Sequence, residues 1–258
     1  MKIYIIVLVL GLLFQSCIFN PEEDNQQLTI QGVIENAEGQ KIVLQELTSE
    51  LVISLDSVIL KKDGVFKFFP GLKQKSILLI RVNDHVITLF PDSTETIKIT
   101  TKLPDLLLNA NVTGSIESED FLKMQNRLKT AALFVDSLGE AWEKQKYLPD
   151  NLKIKKQLDK QFNSEWEKQR EKQIMFINAH ASSLSGMLGL YQTIGNLPLF
   201  RIEDETELFL SIGDSLTKAM PQNTHVIKFK SILNRFEKLK QLQELEQNTP
   251  ENAHKPSH

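Results

Sequence analysis

The sequence has a single cysteine, Cys17, in 258 residues. One thiol excludes an internal disulfide, a CxxC redox pair and a multi-thiolate zinc site. Neither sign of charge is in excess: 30 Lys+Arg stand against 33 Asp+Glu, a net of −3. No nucleic-acid footprint follows from that balance. The apolar run Ile3–Phe14 falls short of the 18–20 residues a membrane-spanning helix needs. There is no Gly-x-Ser-x-Gly elbow and no glycine-rich phosphate loop. Asp63-Gly64 lacks the further carboxylates of a calcium loop. Residues 28–115 contain neither Trp nor Tyr, so the stacking platforms of a carbohydrate site are missing there. No catalytic residue, metal site or cofactor is expected. What is present is a 41% hydrophobic composition, enough to bury a core in one or two domains.

The first residues read as an address. Lys2, the short apolar run and a small residue before a break have the pattern of a secretory signal. The break Phe14-Gln15-Ser16-Cys17 resembles a relaxed bacterial lipobox, with cleavage after Ser16 and Cys17 as the lipidated residue. The alternative is an ordinary cleaved signal with an incidental cysteine. One acyl chain holds a protein to a bilayer only marginally, whereas several hold it stably. Residues 1–16 are thus expected to be a lipoprotein signal peptide. Residues 17–27 include Pro21, Glu22, Glu23 and Asp24 and are expected to be a disordered, polar tether.

The body is expected to be α+β: an N-terminal antiparallel β-sandwich or barrel-like domain over 28–115, then a helical domain over 116–246. Leu28–Ile34 alternates with period two, and Lys41–Leu44 follows a turn at Asn36–Gly39. Leu51–Leu55 and Ser57–Leu60 read as two further strands, and Lys62-Asp63-Gly64 as a hairpin signal. Val65–Phe68, Ser76–Val82, Val86–Phe90 and Thr96–Thr100 complete seven or eight strands. Beyond Ser115 the period changes. Phe121, Met124, Leu128, Ala131, Val135, Leu138 and Trp142 recur at spacings of three and four, an amphipathic helical seam. Ser118 is the expected N-cap of that helix. A second helix follows Pro149-Asp150, with Leu158, Phe162 and Trp166 on one face. Asn178–Ser183 reads as a loop, and shorter helices are expected over Leu184–Ile194, Glu203–Ala219 and Thr224–Glu246. Residues 247–258 lack an apolar anchor and are expected to be a disordered tail.

The histidines do not converge on chemistry. His254 and His258 lie in the tail with Pro256 between them, which prevents a shared helix face. His180 stands in the expected helix-entry loop and His85 in a turn with Asn83 and Asp84. The seam is expected to pack within the helical half, and the charged stretch Lys144–Lys172 to be a solvated helix face. One triplet recurs: Asp-Ser-apolar/Thr at Asp56-Ser57-Val58, Asp92-Ser93-Thr94, Asp136-Ser137-Leu138 and Asp214-Ser215-Leu216. It is similar to the O-glycosylation acceptor of periplasmic Bacteroidota enzymes. Ser57 and Ser93 are the candidate acceptors, with Ser93 in a turn-like setting.

Several pieces together resemble a family. They are Ile30-Gln31-Gly32-Val33-Ile34, Leu55-Asp56-Ser57-Val58, Asp63-Gly64-Val65-Phe66-Lys67-Phe68, Leu89-Phe90-Pro91-Asp92, Ile97-Lys98-Ile99 and Val112-Thr113-Gly114-Ser115. As a set they are similar to an N-terminal β domain of unknown function found in Bacteroidota lipoproteins. Phe176–Ser183 resembles a later helix junction of the same proteins, with Ala181 where proline is common. In those proteins the two regions precede a thioredoxin-like domain of the TlpA/ResA type, which performs thiol–disulfide exchange. No catalytic dithiol carries over to this chain, which has one cysteine and stops at His258. The resemblance implies an outer-membrane lipoprotein, on the periplasmic or surface face, acting as a non-catalytic binding or scaffolding module. Its partners would be the membrane, through the lipidated N-terminus, and a thioredoxin-like protein; no nucleic-acid partner is implied. One alternative is the accessory half of a split or truncated thiol–disulfide oxidoreductase. A weaker alternative is a surface glycan- or nutrient-binding lipoprotein.

Overall fold

A computed structural model describes residues 27–247. The expected signal peptide, Cys17, the expected tether up to residue 26 and the tail histidines lie outside the described residues.

The α+β class and the order of its two parts hold. Eight strands come first: β1 (Thr29–Glu35), β2 (Lys41–Leu47), β3 (Val52–Ile59), β4 (Val65–Phe68), β5 (Ile77–Val82), β6 (His85–Leu89), β7 (Thr96–Lys102) and β8 (Asn111–Thr113). They form two four-stranded sheets, ordered β4-β1-β7-β8 and β3-β2-β5-β6. Every pairing in these sheets is antiparallel except β1 with β7, which run parallel from Thr29↔Thr96 to Glu35↔Lys102. Helices α1 (Ile116–Gln145), α2 (Asn151–Ala179), α3 (Leu184–Gly189), α4 (Thr206–Ala219) and α5 (Thr224–Gln247) follow.

Period two explains the sandwich. Ile30, Ile34, Ile42, Leu44, Ile97, Ile99, Phe66 and Phe68 are buried at alternate positions and meet between the sheets. Strand β5 departs from that pattern, being buried at five of its six positions. Leu78, Ile80 and Val82 face the sandwich core. Ile77 and Leu79 face the other way, into a second core made by the helices. The fold is therefore three layers deep, with the β3-β2-β5-β6 sheet in the middle. A strand covered on both faces reads as a continuous apolar run, as Ile77–Ile80 does.

Four local expectations are corrected. Leu51–Leu55 and Ser57–Leu60 are one strand, β3. The Lys62-Asp63-Gly64 turn does not close a hairpin: β3 and β4 lie in different sheets, and the turn carries the chain between them. Gly64 sits at φ +64°, and a Cβ there would stand 2.2 Å from the Ile34 carbonyl oxygen. The turn is thus fixed by its close approach to β1, whose Ile34 N–H donates to the Gly64 carbonyl at 3.0 Å. The expected helix Leu184–Ile194 stops at Gly189, and a short hairpin of β9 (Thr193–Ile194) and β10 (Leu197–Pro198) takes over.

The fourth correction concerns Ser118, which is inside α1 and fully buried; Ser115 is the N-cap position. The Ser118 hydroxyl accepts from the Phe90 N–H at 2.8 Å and donates to Ser115 Oγ at 3.0 Å. Ser115 in turn donates to the Phe90 carbonyl at 3.3 Å. The two serines satisfy the Phe90 backbone where the β6 ladder ends. This weld fixes the start of α1 against the middle sheet.

Candidate functional site

Composition and environment disagree most at β3. The strand is VISLDSVI, rich in residues that favour buried strands, yet all eight positions are exposed. Leu51 and Ile59 are 56% and 57% exposed, with Val52, Ile53, Leu55 and Val58 exposed between them. β3 is the edge of its sheet, paired only with β2 among the described residues. Its outer side presents unpaired backbone N–H and C=O groups in a row.

The strand is held rigidly from one side. At the β2–β3 turn, Thr48 Oγ1 donates to the Leu51 carbonyl at 2.8 Å and accepts from the Glu50 and Leu51 N–H groups. Midway the register slips: Leu44 faces Asp56 and Gln45 faces Ser54, leaving Leu55 as the extra residue of a bulge. Ile53, Asp56 and Val58 thereby keep the face of the buried Ile42 and Leu44, although no core covers them. Asp56 Oδ1 takes the Ser57 N–H at 2.7 Å. A cleft of about 250 Å³ opens beside the bulge, lined by Leu44, Glu46, Leu55, Asp56 and the Phe69–Leu72 loop. Phe69 is half exposed there, with Lys67 Nζ 4.8 Å from its ring centroid. The arrangement offers main-chain hydrogen bonds, an apolar strip and an acidic notch. It suits the addition of an extended strand from a partner.

Residues 28–121 match a domain of unknown function, DUF4369. No curated protein and no solved structure matches the chain. The DUF4369 segment contains all of β3 and its cleft. It ends at Phe121, a turn and a half into α1, just past the Ser115–Ser118–Phe90 weld. The sandwich is thus closed by the first residues of α1: Leu122 packs in the sandwich core and Phe121 in the helical one.

The candidate residues separate in space. Ser57 lies on exposed β3, and Ser93 in the exposed β6–β7 turn, where its carbonyl accepts the Leu28 N–H at 2.9 Å. Ser137 and Ser215 are helical, and their hydroxyls bond back to Phe134 and Ser211. His85 opens β6. His180 caps the C-terminus of α2, its ring tilted against Phe176 at 4.5 Å and 3.7 Å from Asp120. Among the described residues no group of three or more His, Cys, Asp or Glu is arranged to hold a metal. No described helix is long and apolar enough to cross a membrane.

The edge went unread in the sequence because β-branched runs look alike whether covered or bare. The junction of the two layers held a second unread residue, His225. It is buried beside a cavity of about 190 Å³ that Leu47, Ile77, Met187, Tyr191 and Phe229 help to line. Its backbone N–H donates to Asn223 Oδ1 at 3.0 Å, and Asn223 Nδ2 donates to the Lys75 carbonyl at 2.8 Å. Burial pulls the His225 pKa below the ordinary histidine value; the Glu46 charge and a bond to the Leu47 backbone oppose this without reversing it. The folded state therefore holds the neutral imidazole. Its contribution is complete above the unfolded pKa, about 6.5, and is lost as pH falls through the lower folded value. Urea midpoints of the wild type are expected to fall more steeply as pH drops below about 6.5 than those of His225→Gln. Equal slopes would remove His225 from the acid response.

Proposed function

We propose that the chain is a non-catalytic, lipid-anchored module of the bacterial cell envelope that captures its partner along β3. The observation that carries this reading is the bare, apolar, bulged edge strand held rigid by a buried sheet. Lipidation at Cys17 rests on the lipobox-like Phe14–Cys17 and the short apolar run before it. The resemblance to regions that precede a TlpA/ResA-type thioredoxin-like domain supports a thioredoxin-like partner at the outer membrane, in envelope redox homeostasis. The chain's own part would be positional: tether, sandwich and helices hold the edge for that partner.

The test is capture from envelope extracts. Wild-type chain is expected to recover a thioredoxin-like protein, and Ile53→Lys/Ile59→Lys to lose it. Lysines on an edge strand oppose pairing while leaving the fold intact, because both positions are exposed. The stability of that variant should change by about 0.5 kcal/mol or less per site. If no thioredoxin-like protein is recovered, or the double variant recovers it equally, the β3 reading fails. Intact mass spectrometry reads the two modifications at once. Acyl mass is expected at the mature N-terminus and lost in Cys17→Ser; glycan mass is expected and lost in Ser93→Ala. An unmodified mature mass removes both. The DNA downstream separates this reading from the split-oxidoreductase alternative, which requires an adjacent thioredoxin-like sequence.

A further inference from the structure

The α1–α2 hairpin is made of the two longest helices among the described residues. At about 1.5 Å per residue, its 30 and 29 residues make arms of about 45 Å. The last buried residue of α1 is Ala131 and the first of α2 is Gln169. Arg127 fixes the emergence point by donating to Gln169 Oε1 and to Gln173 Oε1, and Gln173 Nε2 donates to the Gly189 carbonyl at 2.8 Å. Ala132, Val135 and Trp166 still pack, partly buried, on the edge of the helical core; beyond them the two arms meet along a seam. Val135, Leu138 and Trp142 face Leu158 and Phe162 around a cavity of about 240 Å³, and Phe162 stacks on Trp166 at 5.8 Å.

The tip turns apolar side chains outward. Tyr147 is 87% and Leu152 81% exposed, with half-exposed Leu148 between them. Lys146 Nζ stands 5.2 Å from the Tyr147 ring centroid. Residues 140–160 hold six lysines against four acids, in a chain whose net charge is −3. Lys144, Lys146 and Lys155 have ion-pair partners, but Lys153 and Lys156 have no carboxylate within 4 Å among the described residues.

We infer that this tip docks on an anionic bilayer surface, with Tyr147, Leu148 and Leu152 entering the headgroup region and Lys144, Lys153 and Lys156 facing the lipid charge. Three side chains at the end of a two-helix arm are too few for a stable protein interface, which takes about 800 Å² from each partner. They suffice for a peripheral membrane contact, where an amphipathic tyrosine sits at the interface and each nearby lysine adds attraction to anionic lipid. The tip lies at the far end of α1 from the weld, and the chain enters β1 beside the β6–β7 turn that the same end of α1 caps. A tether of residues 17–27 spans up to about 37 Å. A hairpin lying along the surface therefore accommodates both an N-terminal attachment and the tip contact.

The test reads where contact occurs, not how the N-terminus is held, so its outcome is separate from that of Cys17. Tyr147→Trp and, as a control, Leu242→Trp on α5 are introduced into the full chain. Each chain is mixed with brominated-lipid vesicles containing phosphatidylglycerol or phosphatidylcholine alone. The added fluorescence is read by difference from the parent, which carries Trp142 and Trp166. The tip tryptophan is expected to be quenched at least about threefold more than the control, in the anionic vesicles only. Lys144→Glu/Lys153→Glu/Lys156→Glu in the same background should abolish that excess, with unchanged circular dichroism confirming the fold. Equal quenching at both sites, quenching indifferent to lipid charge or to the triple substitution, or none at all would overturn the proposal. Protection of the tip only after an envelope protein is added would assign it to a protein partner instead.

Discussion

Gly32→Ala is expected to cost about 4 kcal/mol, near the top of the range for single substitutions. Gly32 shares the inward parity of Ile30 and Ile34 on β1, where the pattern calls for a third large apolar residue. A side chain has no room there. A Cβ at Gly32 would stand 1.9 Å from the Ile99 carbonyl oxygen and 2.8 Å from its carbon. Those are backbone atoms of β7, so relief requires the only parallel pairing of the sandwich to move apart. The register from Thr29↔Thr96 to Glu35↔Lys102 runs through this point, and seven residue pairs depend on it. Gly71→Ala is the internal comparison. It faces open space, with nothing within 4 Å of the added Cβ, and is expected to change stability by about 0.5 kcal/mol or less. Urea unfolding of the two variants checks both figures. A Gly32→Ala protein within about 1 kcal/mol of wild type would show that β1 and β7 are not pinned here.

That glycine also shows what was legible in the sequence. Strand positions followed from period-two burial, and the α1 seam from spacings of three and four, because local periodicity reports which face is covered. The motif pieces turn out to be joints. Gly32 meets Ile99, Gly64 meets Ile34, and Ser115 and Ser118 hold Phe90. Their roles were illegible because each depends on a segment distant in sequence. Ser118 reads as a cap for the same reason: its partner, Phe90, lies 28 residues back. β3 is the clearest failure. Val, Ile and Leu in a strand signal burial only when another layer covers them, and the sequence does not say which strand forms an edge. The reverse holds at the hairpin. The seam of Val135, Leu138 and Trp142 was visible, but its projection beyond Ala131 depends on where the body ends.

Phe121→Ala is expected to cost about 4 kcal/mol by leaving a cavity at the joint between sandwich and helices. The ring is 1% exposed. It packs edge-on against Phe90 at 4.8 Å and against Phe176 at 6.1 Å, so it touches the end of the middle sheet and the far arm of the hairpin together. Neighbouring Leu122 packs into the other core, so one helical turn ties the two cores together. The consequence goes beyond the loss of midpoint. Both tryptophans, Trp142 and Trp166, lie on the hairpin and none lies in the sandwich, so intrinsic fluorescence follows the helices while far-ultraviolet circular dichroism follows both parts. Wild type is expected to give coincident transitions by the two probes, because Ile77, Leu79 and Phe90 belong to the helical core. In Phe121→Ala the fluorescence transition should move to lower urea ahead of the circular dichroism. The hairpin would then loosen before the sandwich, and the tip would lose its fixed direction relative to β3. Phe121→Leu, which fills most of the space, should restore coincidence at a cost of about 1.5 kcal/mol or less. Coincident transitions in Phe121→Ala would mean that the β5 contacts alone couple the layers, and that Phe121 fills space without aiming the hairpin.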